Sequence, residues 1–227
     1  MKKIISIMML MIISLSVYAN DIYINQSGAT LDLDVLQDGQ NNTIGSSSTA
    51  SSVIGATTNL SITQIGDSNV MTFDVNGATY TGTFSVTGNS NNIDFNCDSQ
   101  GTNSSCGTAT ASIVWVGSSN DIDIDIGETS SATGATVSIT GASGSDSNVV
   151  LGTIDGNSAI LTLSINGDTN NFLVDIDGNG DSVGHTYIHT HTGSIADVDI
   201  TQSGIYDNMI TLTTSGDNAD IDIIQRD

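Results

Sequence analysis

Apolar and polar residues alternate in Leu60-Ser-Ile62-Thr-Gln64, and the alternation resumes in Asn69-Val-Met71-Thr-Phe73-Asp-Val75. Period two marks a strand with one buried face. The same frame fits Ile22, Ile24 and Gln26, then Leu31, Leu33, Val35 and Gln37. It fits Asn91, Ile93, Phe95 and Cys97, and again Asn120, Ile122, Ile124 and Ile126. It returns in Leu161, Leu163 and Ile165, and in Asn170, Phe172, Val174 and Ile176. Val198, Ile200 and Gln202 keep it, as do Ala219, Ile221, Ile223 and Gln225. Independent segments in one frame predict an all-β chain.

The strands also recur at a fixed step. Eleven residues separate Gln26 from Gln37, and the same slot falls on Gln64, Val75, Val86 and Cys97. It restarts at Trp115, at Ile154, Ile165 and Ile176, at Gln202, and at Thr214 and Gln225. Self-similarity at a short period signals stacked repeats. The strands end at Gly-containing turns such as Asp38-Gly39-Gln40-Asn41 and Ile65-Gly66-Asp67-Ser68. Glycine takes positive φ freely, and Asn and Asp bond their own backbone, so these are turn residues for physical reasons. Two arcs of eleven make a rung of about 22 residues. The expected fold is a flattened parallel β-solenoid, with two parallel sheets face to face and rungs ~4.8 Å apart. Four Ser/Thr/Gly-rich stretches fall off the frame: Gly45–Thr58, Asp98–Thr110, Gly127–Thr136 and Asp177–Ser194. They read as loops protruding from turns. No linker divides residues 20–227, which therefore form one domain.

Glutamine and asparagine in inward slots need a reason. A side-chain amide carries both donor and acceptor. Stacked on an identical amide, it bonds along the stack and forms a ladder. Alone in a core it would cost a few kcal/mol. The candidate ladder and repeat positions are Gln26, Gly28, Gln37, Gly39, Asn42, Gln64, Gly66, Asn69, Asn91, Asn120, Asn170, Gln202, Gly204, Asn208 and Gln225. In the central rungs Val, Ile, Cys and Trp replace Gln, and apolar packing must serve there.

Proline is absent from the 227 residues, where the usual ~5% would give about eleven. That suits a backbone whose amides are committed to ladders. Residues 1–19 read as a secretory signal: Lys2 and Lys3, an apolar run Ile4 to Val17, and a small-x-small site ending at Ala19. Its removal takes two of three basic residues, so the net charge moves from −22 to −24 and Arg226 is the one Lys or Arg left. Nucleic-acid binding is excluded, because phosphate contacts need clustered cations. No nucleophile–base constellation, no Gly-x-Ser-x-Gly elbow and no phosphate loop with its Lys is present, so neither an enzyme nor a cofactor or small-molecule substrate is expected.

Export and an even count favour a disulfide between Cys97 and Cys106, closing the insertion 98–105. Two buried free thiols are the alternative. His185, His189 and His191 fall in an off-frame stretch and read as an exposed polar loop. His189 and His191 share a strand face, a spacing that suits zinc or copper, but no carboxylate or Cys pattern completes a site, and no metal is expected. Asp175-Ile-Asp177-Gly-Asn179-Gly-Asp181 resembles the start of a calcium loop, yet its twelfth position is Thr186 rather than Glu. Asp175 and Asp177 are explained as outward strand positions, like Asp121, Asp123 and Asp125. Thr190-His-Thr192 and Thr211-Leu-Thr213 show no recurrence in register.

Gln-x-Gly-x-x-Asn followed by five residues and another Gln resembles the curlin repeat. The matching residues are Gln26, Gly28 and Gln37; Gly39 and Asn42; Gln64, Gly66 and Asn69; and Gln202, Gly204, Asn208 and Gln225. The chain departs from that repeat at Leu31, in its central rungs without Gln, and at Asn208, one residue late. The resemblance implies a secreted β-solenoid that polymerises into extracellular amyloid fibres (curli) for biofilm matrix, adhesion and surface attachment. It implies as partners other copies of the chain, a related subunit or nucleator, and outer-membrane secretion machinery. The competing expectation is a monomeric secreted solenoid that binds a surface, as a calcium-dependent adhesin or an ice-binding protein.

Overall fold

The structure, a computed structural model, describes residues 21–39, 42–46, 48–66, 68–88, 90–97, 106–127, 134–142, 144–146, 148–156, 158–177, 185–194, 196–204 and 208–226. The expected signal segment, residues 1–19, and Asp181 lie outside them. Every ladder between strands is parallel. No helix occurs among the described residues. The strands Asn25–Asp38, Ser51–Ile65 and Val70–Thr87 each run through both sheets. Beyond them the chain alternates. Asn92–Cys97, Asp121–Ile126, Val149–Asp155, Asn170–Asp177, Ala196–Ser203 and Asp220–Arg226 build the first sheet. Cys106–Val116, Gly134–Gly141, Ile160–Asn166, Thr186–Thr192 and Met209–Ser215 build the second. The fold is a β-solenoid of about 7 turns of roughly 26 residues.

Partners in successive rungs stand from 22 to 29 positions apart, so many rungs exceed two arcs of eleven. Extra residues enter at the turns, and the arcs stay in register. The inward column Gln37, Gln64, Val86, Trp115, Gly141, Ile165, His191 and Thr214 runs up the second sheet. Gln26, Val53, Val75, Cys97, Ile126, Ile154, Ile176, Gln202 and Gln225 form its counterpart in the first. Each slot marked by the eleven-residue step lies in one of these two columns.

The sheets meet across a thin apolar core. Tyr80 of the second sheet stacks on Phe95 of the first at 5.0 Å between ring centroids. Phe73 and Phe84 face each other at 6.2 Å. Large residues are accommodated by small ones in the next rung. Trp115 is fully buried because Gly141 follows it, where a Cβ would lie 2.7 Å from the indole ring. A disulfide joins Cys97 to Cys106 across the connection between the sheets.

The off-frame stretches are shorter than the sequence implied. Ser51–Thr58 belongs to the strand Ser51–Ile65, and residues 106–110, 134–136 and 186–192 are also rung strands. Their Ser and Thr content hid them, since apolar alternation is weak there. Backbone ladders hold them, and β-branched Thr suits an extended chain.

A recurrent turn closes the arcs: Gly66-Asp-Ser68-Asn69, Gly88-Asn-Ser90-Asn91, Gly117-Ser-Ser119-Asn120 and Gly167-Asp-Thr169-Asn170. Its third residue is left-handed, with φ from 58° to 60° in these four. Its glycine is fixed by close approach. A Cβ on Gly88 would lie 1.5 Å from the Gly66 carbonyl oxygen in the rung before. Gly88→Ala is therefore expected to cost more than about 3 kcal/mol or to prevent folding. Gly134→Ala, where nothing lies within 4 Å of the added carbon, should leave thermal unfolding followed by circular dichroism nearly unchanged.

Candidate assembly site

The asparagine after each turn explains the Gly-x-x-Asn spacing. Its Nδ2 donates to the carbonyl three residues back: Asn42 to Gly39, Asn91 to Gly88, Asn120 to Gly117 and Asn170 to Gly167, at 2.7–3.1 Å. In Asn91, Asn120, Asn148 and Asn170 the Oδ1 accepts from the preceding rung. Asn91 N and Nδ2 both donate to Asn120 Oδ1, at 3.1 and 2.8 Å. Asn120 repeats this onto Asn148 at 3.1 and 2.9 Å, and Asn148 onto Asn170 at 3.2 and 2.9 Å. The result is a continuous buried ladder through Asn69, Asn91, Asn120, Asn148 and Asn170. Asn148 was missed in the sequence because Ser145 holds the place of glycine. The signal was there as Ser-x-x-Asn followed by a Val-rich strand.

Glutamines pair near the two ends. Gln64 Nε2 donates to Gln37 Oε1 at 2.7 Å and to the Val70 carbonyl at 3.3 Å. Gln225 Nε2 donates to Gln202 Oε1 at 3.3 Å and to the Asn208 carbonyl. Gln26 stands beside Val53, so among the described residues no amide adjoins it in its column. Gly28 lies in the same strand and pairs with Gly55 of the next rung, and Gly204 follows the strand that carries Gln202. Asn208, despite its late position, occupies an asparagine place: its Oδ1 accepts from His185 N at 3.1 Å.

Among the described residues both ends of the stack are open. Asn25–Asp38 pairs only with Ser51–Ile65. Met209–Ser215 and Asp220–Arg226 close the other end, each with one neighbour. Inward side chains there are incompletely covered: Ile22, Ile24, Leu33 and Val35 at the first rung, Ile210 and Leu212 at the last. Ile221 and Ile223 are 38% and 46% exposed.

The outer faces differ in charge. The first sheet carries Asp74, Asp94, Asp121, Asp123 and Asp125 on adjacent strands, and further along Asp175, Asp177, Asp197 and Asp199. Burial, then Asp74, Asp125 and Asp121, pushes the half-buried Asp94 carboxyl up. Burial also raises Asp125, against a hydrogen bond with Thr153 that lowers it. Burial and then Asp177 raise Asp175. On the second sheet the threonines do recur in register, contrary to the sequence reading. Thr81, Thr110 and Thr136 stand side by side, as do Thr140, Ser164, Thr190 and Thr213. Variable rung length had concealed the columns.

The histidines are not in an exposed loop. His185, His189 and His191 are buried and belong to a rung, because residues 186–192 pair with Ile160–Asn166. Tyr187 Oη lies 3.1 Å from His189 Nδ1, and the Phe172 ring meets the imidazole edge-on at 4.4 Å. His191 Nε2 sits 2.9 Å from the Gly167 carbonyl, beside Asn170 at the end of the ladder. Among the described residues no group of three or more His, Cys, Asp or Glu is placed to hold a metal ion.

Burial and the neighbouring His191 push the His189 pKa down from 6.5 to about 3. A neutral buried imidazole contributes its full stability above pH 6.5 and loses it as pH falls toward about 3. The loss reaches about 1.4 kcal/mol per pH unit. The raised aspartates act oppositely: their penalty is full at neutral pH and vanishes as pH falls through their folded values toward 3.8. His189→Phe should therefore flatten the acid limb of a stability–pH profile measured by denaturant unfolding. Asp94→Asn should add about 0.2–1 kcal/mol at pH 7 and nothing near pH 3.

Among the described residues no helix is long and apolar enough to cross a membrane. No family model matches this chain, and no curated protein or solved structure matches it.

Proposed function

We propose that this chain is an exported, curlin-like subunit that polymerises head to tail into an extracellular fibre, serving biofilm matrix, adhesion and surface attachment. The observation that carries the reading is the match between its two open ends. Following the columns past the last rung brings Ile221, Ile223 and Gln225 against Ile22, Ile24 and Gln26 of a second copy. Ile210 and Leu212 come against Leu33 and Val35. Apolar meets apolar, and Gln26 gains the amide neighbour it lacks in its column among the described residues. The ladder Gln202–Gln225 then continues across the joint. Parallel strands throughout make this addition polar and repeatable, so the joint regenerates itself at every step. Unpaired strand edges supply the backbone hydrogen bonds.

The double variant Gln26→Cys/Gln225→Cys tests the joint. The two sites occupy opposite ends of one solenoid, too far apart to bridge within a monomer. Across a joint they would be one strand spacing apart, ~4.8 Å, within disulfide reach. Oxidation should yield a covalent ladder of multimers, and aged fibres should diffract near ~4.7 and ~10 Å. A protein that remains monomeric with preformed seeds, and gives no interchain disulfide, would overturn the reading and leave a monomeric surface-binding solenoid.

A further inference from the structure

The second sheet has an outer face unlike any other surface of the molecule. Eight consecutive strand segments build it: the first, residues 30–38 at the open end, carries outward Asp32, Asp34 and Asp38, and the other seven are residues 57–65, 79–87, 106–116, 134–141, 160–166, 186–192 and 209–215. These seven contain none of the 25 Asp and Glu residues and no Lys or Arg. Their outward positions are threonine and serine columns with exposed Ile65, Val114, Val116, Ile160 and Met209 among them. Charge on the chain is thus largely segregated, with aspartates on the first sheet, at turns such as Asp146 and Asp168 along the rim, and on the one edge segment 30–38 of the second sheet.

We infer that this neutral face pairs laterally with the same face of a second copy. Three observations lead there. The first is charge. Two chains with so large a net negative charge repel wherever their aspartates meet, and like-charge juxtaposition costs several kcal/mol. These seven strands are the surface through which two copies can approach while both acidic sheets, and the aspartates of the edge segment 30–38, stay in solvent. The second is area. Seven strands at ~4.8 Å, with alternate residues ~6.7 Å apart along each, give roughly 34 by 22 Å, or on the order of 750 Å². A stable interface buries about 800 Å² per partner. The third is surface chemistry. A flat lattice of methyl and hydroxyl groups is matched in register by another lattice of the same spacing. Methyl groups interdigitate, hydroxyls bond to hydroxyls, and the sheets pack ~10 Å apart, as in a dry zipper between paired sheets.

This pairing is separate from the head-to-tail joint, and its test separates the two. Ser138 lies at the middle of the face, on the central segment. Ser138→Cys should form an interchain disulfide under mild oxidation. Thr136→Asp/Ser164→Asp changes two exposed positions without touching the core. It should weaken lateral dimerisation, followed by analytical ultracentrifugation, at least about tenfold. Fibres of the wild type should show two filaments side by side by electron microscopy, and fibres of the double aspartate variant single ones. The ~4.7 Å reflection should persist in both, and unchanged circular dichroism would show that the variant folds. Single wild-type filaments with no Ser138→Cys dimer would overturn lateral pairing and leave head-to-tail growth standing. Face-linked dimers without fibres would support it and remove the polymer reading. Wild-type protein that shapes ice crystals or binds crystalline cellulose, with that activity lost in the aspartate variant, would assign the face to another occupant and overturn the inference.

Discussion

The constraint on which this molecule depends is identity of position along the stack. Each rung lies one strand spacing from the next, and every atom of one rung must tolerate its counterpart at ~4.8 Å. The turn glycines follow from it, since a Cβ on Gly88 would fall on the Gly66 carbonyl. The asparagines follow too. The buried amides of Asn91, Asn120 and Asn170 are satisfied in two directions: each closes its own turn through Nδ2 and receives the preceding rung through Oδ1. Removing one such acceptor would strand two donors at once, and each buried orphan costs about 1–3 kcal/mol. The Trp115–Gly141 pair obeys the same rule by volume instead of hydrogen bonding.

Much of this was legible in the residues. Period two identified the inward positions, and the eleven-residue step assigned Gln64, Val86, Trp115 and Ile165 to slots that share one column. What escaped shares one cause. Register in a solenoid is set by backbone ladders, and it restarts after each turn whatever the length of that turn. A reading that counts residues loses its place wherever a turn is long. Asn148 was lost because its turn has Ser145 for glycine. His189 and His191 were lost because polar imidazoles carried an inward frame that apolar residues usually mark. The threonine columns were lost because Thr110, Thr136 and Thr81 are related by rungs of unequal length.

Charge placement shows a second constraint working against the first. In-register stacking puts like above like, which serves amides and harms carboxylates. Asp94 and Asp123 are direct neighbours in the first sheet, as are Asp199 and Asp222. The carboxyl of Asp94 is displaced upward by burial and by three nearby aspartates. The sequence limits the conflict by interleaving Asn96 between Asp74 and Asp125, and Leu151 and Leu173 between Asp123 and Asp199. It also confines the conflict to one sheet. Confinement leaves seven of the opposite sheet's eight strand segments free of charge, with Asp32, Asp34 and Asp38 at its first edge, so the two faces of one thin slab differ in chemistry.

On the proposed head-to-tail reading, the distribution of amides along the stack bears on how such a slab would control its own growth. A buried glutamine needs an amide neighbour, whereas Val, Ile or Trp packs against almost any apolar group. If apolar residues alone filled the end rungs, the open edges would accept any exposed strand, which is the aggregation hazard of every sheet edge. Here the middle of each column is apolar and the glutamines stand near the ends: Gln26, Gln37 and Gln64 on one side, Gln202 and Gln225 on the other. A foreign strand docked on Gln225 leaves its amide unmatched, and a copy shifted by one residue does the same. Partner and register are then both selected by the cost of an unsatisfied buried amide, which discriminates more sharply than apolar contact. On the proposed head-to-tail reading, placing those groups at the termini of the stack concentrates that selectivity at the joint.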